Sequence, residues 1–165
     1  MGSGFEFKCS KCGKEYSIHT GVGFLYLRVY EETLKDVKEG KYGEEWKTLA
    51  LSEEYVAVDA EDYLYVCKKC GHWKVEPGLS LYAPKNVAEL KKREYGIKTV
   101  EEWGAVPYVM SCDFGDDYQI LKRRIHKCDM CGGVMHKATE SEECNLPCPY
   151  CGGAPEEDHN IILWD

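Results

Sequence analysis

Four Cys-x-x-Cys pairs, each followed by a glycine, constrain this chain of 165 residues more than any other feature. In chain order they are Cys9 and Cys12, Cys67 and Cys70, Cys128 and Cys131, and Cys148 and Cys151, and we call them knuckles 1 to 4. Two cysteines separated by two residues form a turn that aims both sulfurs at one point, and the glycine supplies the positive φ that this turn needs. A tetrahedral metal site takes four sulfurs, so eight sulfurs predict two metal sites.

Reduced thiolates fit this pattern better than disulfide bonds do. Ten cysteines are typical of a secreted disulfide scaffold, but the residues before Cys9 contain no apolar stretch like that of a signal peptide. The repeated Cys-x-x-Cys spacing is that of metal ligands. The longest uncharged run, residues 16–27, is too short to span a bilayer. We therefore expect a soluble cytoplasmic protein with no membrane contact.

The charge of the chain disfavours a general role in binding nucleic acid. It carries 21 basic and 29 acidic side chains, a formal net charge of −8, and eight thiolates with two divalent ions would change this to about −12. A protein that binds phosphates generally needs a positive surface. The one concentrated basic run extends from Lys122 to Lys127. We expect it to be a solvated strand, and a nucleic-acid contact through it is the alternative.

The spacing of the knuckles suggests how they share ions. Sixteen residues separate Cys131 from Cys148, the length of a β-hairpin that folds one knuckle onto the next, whereas 54 residues separate Cys12 from Cys67. Sequence-local sites are the simpler topology. We therefore expect knuckle 1 to pair with knuckle 2, and knuckle 3 with knuckle 4. Pairing between the two halves of the chain is the alternative.

The knuckles and the segments beside them resemble the zinc ribbon family, in which antiparallel β-hairpins are held by a closed four-cysteine site. Two of them also resemble rubredoxins. The sequence Phe7-Lys8-Cys9-Ser10-Lys11-Cys12-Gly13-Lys14-Glu15-Tyr16 is similar to the first rubredoxin knuckle, and Cys148-Pro149-Tyr150-Cys151-Gly152 is similar to the second. The zinc ribbon resemblance implies structural zinc. The rubredoxin resemblance implies iron that transfers electrons.

Zinc is the commoner occupant of closed all-sulfur sites, so we expect two zinc ions, with iron as the alternative. Four sulfurs leave a tetrahedral ion no position for water, which excludes hydrolysis at the metal. No other catalytic constellation is present, so a non-enzymatic protein is favoured. The expected function is a protein–protein interaction or adaptor module on a structural zinc scaffold.

The predicted fold class is α+β, with two zinc-ribbon modules, a helical insertion in the first and a helical segment between them. We place the modules at residues 1–84 and 85–165. The expected elements are helices at 29–40, 44–51 and 86–95, a capped turn at Thr99, a hairpin of strands 55–59 and 63–67, and strands at 106–112 and 118–125. Cys112 is expected to pack as a small hydrophobic residue, Cys144 to lie free in a loop, and His72 and His126 to lie outside the ligand sets.

Overall fold

A computed structural model describes residues 2–156 and 160–164 of the chain. Contacts between residues divide it into two units, each assembled from separate segments. Unit 1 comprises residues 1–24, 62–77 and 125–165, and unit 2 comprises residues 25–61 and 78–124. All four knuckles belong to unit 1.

The described residues form small antiparallel sheets and six helices. The strands are β1 (Gly2–Lys8), β2 (Glu15–Thr20), β3 (Ala57–Val58), β4 (Asp62–Cys67), β5 (Trp73–Pro77), β6 (Leu81–Pro84), β7 (Glu94–Tyr95), β8 (Lys98–Thr99), β9 (Tyr118–Lys122), β10 (Met135–Lys137) and β11 (Asn160–Trp164). The helices are α1 (Tyr26–Glu39), α2 (Glu44–Ser52), α3 (Val87–Lys92), α4 (Val100–Trp103), α5 (Phe114–Asp117) and α6 (Glu140–Glu143), and a 3-10 turn covers Ser111–Asp113.

The first sheet of unit 1 has the order β11-β1-β2. Residues along β2 alternate between exposed and buried, as expected for a strand with one face against a core. Phe7 lies opposite Tyr16, and their ring centroids are 5.1 Å apart. The core on this face contains two cysteines, Cys9 and Cys148, among its apolar side chains. The first cysteines of knuckles 1 and 4 are therefore part of the hydrophobic core.

The second sheet of unit 1 has the order β10-β4-β5. Strands β4 and β5 form a hairpin that carries knuckle 2 at its turn, and β10 follows knuckle 3. In the register of the sheet, Met135 of β10 lies opposite Cys67 of β4. A small core joins Met135 and Tyr65 to Cys67 and Cys128. This sheet therefore supports knuckles 2 and 3 together.

Unit 2 contains the longest helices and the sheet β3-β6-β9. Helix α1 buries Tyr26, Tyr30 and Val37 on one face. It ends at Gly40, whose φ of 88° lets its N–H reach the carbonyl oxygens of the last turn. Strands β7 and β8 form a separate short hairpin that follows α3.

Several local predictions are confirmed. Helices α1 and α2 lie where the sequence places them, and the Asn86 side chain caps α3 by accepting a hydrogen bond from the N–H of Glu89. Thr99 and Glu102 form a reciprocal capping box at the start of α4. These features depend on residues within one turn of each other.

Other predictions are wrong. Strands β3 and β4 do not form a hairpin, because β3 pairs with β6 and β4 with β5 and β10. Helix α3 ends at Lys92, and the next residues turn back as β7 and β8 around Gly96. Residues 106–112 form no strand.

The two units also differ from the expected modules 1–84 and 85–165. Unit 2 extends across Pro84. Strand β6 ends at Pro84, and it pairs with β9, which lies later in the sequence. Unit 1 draws its segments from both ends and the middle of the chain. Within the described residues, no helix has the length and apolar character required to cross a membrane.

Candidate metal sites

All four knuckles have the same backbone geometry. In each, the glycine after the second cysteine has a φ between 67° and 72°, and its N–H donates to the carbonyl oxygen of the first cysteine at 2.8–2.9 Å. The N–H of the first cysteine in turn donates, at 2.8–2.9 Å, to the carbonyl of the residue after that glycine. The four acceptor residues of this second bond are Lys14, His72, Gly133 and Gly153. The prediction that glycine supplies a positive φ at each knuckle is confirmed.

The eight cysteines named from the sequence come together as two groups of four. The first cluster is Cys9, Cys12, Cys148 and Cys151, and the second cluster is Cys67, Cys70, Cys128 and Cys131. The expected pairing of knuckles within each half of the chain is therefore wrong. Knuckle 1 pairs with knuckle 4 and knuckle 2 with knuckle 3, so the second cluster is nested in sequence inside the first.

Strand pairing between distant segments explains this arrangement. The bridge between Cys9 and Pro155 and the hydrogen bond from the N–H of Ser10 to the Ala154 carbonyl, at 3.0 Å, bring knuckle 4 beside knuckle 1. The pairing of β10 with β4 brings knuckle 3 beside knuckle 2. Strand pairing thus places the two knuckles of each cluster side by side.

The sulfur positions fit a tetrahedral ion. Within each cluster all four Sγ atoms lie within 4.8 Å of one another. The closest Sγ–Sγ separations between knuckles are 3.5 and 3.8 Å in the first cluster and 3.5 and 3.6 Å in the second. Metal–sulfur bonds of about 2.3 Å place the corners of a tetrahedron about 3.8 Å apart, whereas a disulfide bond measures about 2.05 Å. Each group could hold one metal ion, and all ten cysteines are free thiols.

Each cluster is buried on one side. The first cysteine of every knuckle is almost wholly inaccessible: Cys9 and Cys67 are 0% exposed, and Cys128 and Cys148 are 2% exposed. The second cysteines are exposed, apart from the half-buried Cys131. The sites therefore lie where the apolar cores meet the surface.

Backbone donors favour the thiolate form of Cys9 and Cys67. The N–H of Cys12, aided by the N–H of Lys11 and the thiol of Cys151, lowers the pKa of Cys9 to about 6. Burial works to raise the pKa of Cys67, but the N–H groups of Cys70 and Lys69 outweigh it and lower that pKa to about 6. Hydrogen bonding to the charged form is the common cause.

Crowding of sulfurs has the opposite effect on the pKa values of Cys70 and Cys151. The N–H of Gly153 acts to lower the pKa of Cys151, yet the neighbouring sulfurs of Cys12 and Cys9 raise it to about 11. The N–H of His72 likewise acts to lower the pKa of Cys70, yet the Cys131 sulfur, with burial and the other sulfurs of the cluster, raises it to about 12. Four sulfurs this close cannot all ionise unless a cation compensates their charge, and a divalent metal ion supplies that charge.

Two glycines that sequence analysis missed make these clusters sterically possible. A Cβ atom built on Gly153 would lie 2.8 Å from Lys11 Cβ and 3.1 Å from Cys9 Sγ. One built on Gly133 would lie 3.3 Å from the sulfurs of Cys67 and Cys131. Each glycine thus passes beside the first cysteine of the partner knuckle. The signal in the sequence is the doubled glycine after Cys131 and after Cys151, which knuckles 1 and 2 lack.

Replacing Gly153 with alanine is expected to weaken metal binding by the first cluster about 10- to 100-fold, because the new methyl group must displace Lys11 or Cys9. Titration of the metal-loaded protein with a competing chelator measures the loss. Gly133→Ala should have a smaller effect on the second cluster. Gly115→Ala is the control, since nothing lies within 4 Å of its Cβ. Equal affinities in Gly153→Ala and Gly115→Ala would contradict the packing argument.

Two hydrogen bonds, one buried and one partly buried, position the segment that leads into knuckle 4. The Tyr16 hydroxyl donates to the Leu146 carbonyl at 2.7 Å, and Trp73 Nε1 donates to the Pro147 carbonyl at 2.8 Å. Tyr16 comes from β2 and Trp73 from β5, so both sheets of unit 1 hold this segment. Sequence analysis gave neither residue a role.

The flanking histidine His126 lies outside the ligand sets. It is buried, its ring stacks on Tyr65 at 3.7 Å between centroids, and its Nδ1 lies 2.9 Å from Glu76 Oε2. The expectation that four cysteines fill each cluster without His72 or His126 agrees with the two groups that form.

The basic run from Lys122 to Lys127 is partly engaged within the protein. Lys122 Nζ forms an ion pair with Glu45 and lies 5.5 Å above the ring of Trp46. His126, inside the run, contacts Glu76. Arg123, Arg124 and Lys127 are exposed.

The two remaining cysteines are not ligands of either cluster. Cys112 lies exposed in the 3-10 turn, so the expectation that it packs as a small hydrophobic residue is wrong. Cys144 is half-buried at the end of α6, a helix whose start is capped by Thr139.

Comparison with known proteins gives no relative: no protein-family model matches the chain, and neither a curated protein nor a solved structure does. The similarity to zinc ribbons and rubredoxins rests on the knuckles themselves.

Proposed function

We propose that this protein binds two zinc ions, one in each four-cysteine cluster, and that both ions are structural. The observation that carries the proposal is the convergence of four Sγ atoms within 4.8 Å in each cluster. Four sulfurs complete the tetrahedral coordination of zinc, so neither ion would have an open position for water or substrate. Chemistry at the metal is excluded by that closure, and the role left to the ions is to hold the fold.

A structural role is supported by the segments that the clusters join. The first cluster connects the two ends of the chain, and the second connects the β4-β5 hairpin to residues 125–137. Metal binding at such sites contributes directly to the free energy of folding, since the unfolded chain offers no preformed site. The arrangement agrees with a zinc-ribbon type of scaffold, and its thiolates require a reducing compartment such as the cytoplasm.

The scaffold serves protein–protein interaction in this proposal. Unit 2 contributes no ligand to either cluster, so its surface is free of the structural constraint that the metals impose. It exposes large apolar side chains, among them Leu27, which is 53% exposed, and Trp103, which is 50% exposed. Exposed apolar groups that gather on one surface are typical of protein contact sites.

Iron in the first cluster is a second candidate, and one observation favours it. The two knuckles that resemble rubredoxins, knuckles 1 and 4, are the two that share this cluster. Iron held by four thiolates transfers one electron at a time. The second cluster has no such resemblance and is assigned to zinc in either case.

Metal analysis of the purified protein separates these candidates. We expect native mass spectrometry to find two zinc ions per chain in a colourless protein. Serine in place of Cys112 and Cys144 should leave that count at two, because neither residue belongs to a cluster. A red protein with one iron and one zinc per chain would instead identify an electron carrier. A protein purified under reducing conditions with no metal at all would overturn both candidates.

A further inference from the structure

A groove of about 750 Å³ lies on the surface of unit 2, between helix α1 and the segment from Tyr95 to Tyr108. We call it the α1 groove. Its apolar lining includes Leu27 and Leu34 on one wall and Trp103 and Tyr108 on the other. The groove is unrelated to the two cysteine clusters, since none of its lining residues belongs to unit 1.

One stripe of α1 faces the groove. Leu27, Glu31, Leu34 and Lys38 recur at intervals of four, three and four residues, which places them in line along one side of a helix. Apart from Tyr30, which is buried and also lines the groove, this stripe is distinct from the buried face that includes Tyr26 and Val37. One face of helix α1 therefore packs within unit 2, and the other has no packing partner among the described residues.

Helix α1 carries further charged residues, of which Lys35 and Glu39 also line the groove, and most of its charges have partners. Lys35 pairs with Glu39 at 3.8 Å, and Arg28 pairs with Glu32 at 2.8 Å. Glu31 and Lys38 form no ion pair with any other described residue, and both are exposed. They are of opposite sign and seven residues apart, which corresponds to about 10.5 Å along the helix.

We propose that the α1 groove binds a second copy of this chain, with the two α1 helices antiparallel. A two-fold axis between Leu34 and Lys35 places Glu31 of each copy level with Lys38 of the other. The symmetric contact then contains two equivalent Glu31–Lys38 pairs, one on each side of the axis, as an isologous interface requires. Leu34 of each copy meets its equivalent near the axis, and Leu27, Trp103 and Tyr108 lie toward the ends of the contact.

The self-complementary charge pattern favours a second copy over other occupants. A volume of about 750 Å³ also suits a small apolar molecule, but such a ligand carries no charges to pair with Glu31 and Lys38. A different protein would need the reverse arrangement of charges on its own surface, whereas this chain already carries it. The proposal rests on the interaction role given to unit 2 and names its partner.

A charge-swap series tests the dimer. Sedimentation equilibrium of the zinc-loaded protein over a range of concentrations should show monomer and dimer in exchange. Glu31→Lys and Lys38→Glu should each weaken dimerisation about 10-fold or more, because either reversal creates two like-charge contacts per dimer. The double variant Glu31→Lys/Lys38→Glu should return the dissociation constant to within a few-fold of the starting value. Glu32→Lys, on the same helix but away from the groove, is the matched control and should change it little.

Three results would overturn the proposal: a monomer at every concentration, a dimer that ignores both single reversals, or a single variant that weakens the dimer without rescue in the double variant. One bound molecule of a fluorescent apolar dye per monomeric chain would also overturn it by assigning the groove to a small molecule. Zinc content measured on the same samples distinguishes these failures from failure of the metal assignment. A protein that binds two zinc ions but forms no dimer would refute the proposed partner and leave the metal assignment intact.

Discussion

A variant with serine at all four positions of the first cluster is expected to keep one metal ion per chain, whereas a variant with serine throughout knuckles 1 and 2 is expected to keep none. The first variant changes Cys9, Cys12, Cys148 and Cys151, and the second changes Cys9, Cys12, Cys67 and Cys70. Both lose four ligands. The first loses one complete site, while the second loses half of each site, and two remaining sulfurs do not hold zinc tightly. Native mass spectrometry of protein refolded with excess zinc gives the count directly.

The reverse result would contradict the pairing that the structure shows. If knuckles 3 and 4 formed a site together, the variant lacking knuckles 1 and 2 would keep one ion, and the variant lacking the first cluster would keep none. The matched control is the Cys112→Ser/Cys144→Ser variant, which removes the two cysteines outside the clusters and should keep both ions. The experiment therefore tests topology separately from the chemical identity of the metal.

The sequence predicts the knuckles well because each is a local structure. The turn, the glycine and the two hydrogen bonds that close it all lie within six residues, for instance from Cys9 to Lys14. The same is true of the helix signals that are confirmed, such as the end of α1 at Gly40 and the capping box of Thr99 and Glu102. Interactions of this range do not depend on the rest of the fold.

The pairing of knuckles could not be read from spacing because distant strands determine it. The 16 residues between Cys131 and Cys148 suit a hairpin, yet β10 pairs with β4 and α6 occupies much of the remaining connection. A subtler pattern does agree with the structure. Each cluster combines one knuckle followed by Gly-Gly with one that is not, since the second glycine must pass beside the partner's sulfur.

The modules at residues 1–84 and 85–165 assumed that neighbours in sequence fold together. Unit 2 instead interrupts unit 1 twice, as residues 25–61 and 78–124. Both interruptions begin where strand pairing in unit 1 stops: after β2 for the first, and after β5 for the second. Pro84 is the last residue of β6, so the boundary expected after it falls inside unit 2.

Removal of metal by a chelator is expected to unfold unit 1 and leave the helices of unit 2 largely intact. Unit 1 has about 80 residues, a size at which a hydrophobic core alone rarely gives stability. Its cores include buried cysteines from both clusters, and unpaired thiolates would repel one another there. In small zinc domains the ion supplies about 10–16 kcal/mol of apparent free energy, an amount comparable to the whole stability of a typical domain.

Trp73 reports on this transition, since its ring lies in unit 1, 6.3 Å from that of Tyr16, and its indole N–H donates to Pro147. Chelation should shift the emission of Trp73, obtained as the difference from a Trp73→Phe variant, toward that of an exposed indole. The far-ultraviolet signal of α1 and α2 should persist, because those helices pack within unit 2, whose core contains no ligand of either cluster. Added zinc should restore the emission. Loss of the helical signal together with that of Trp73 would show that the metals hold both units, and an unchanged Trp73 would show that the strand pairing of unit 1 suffices without them.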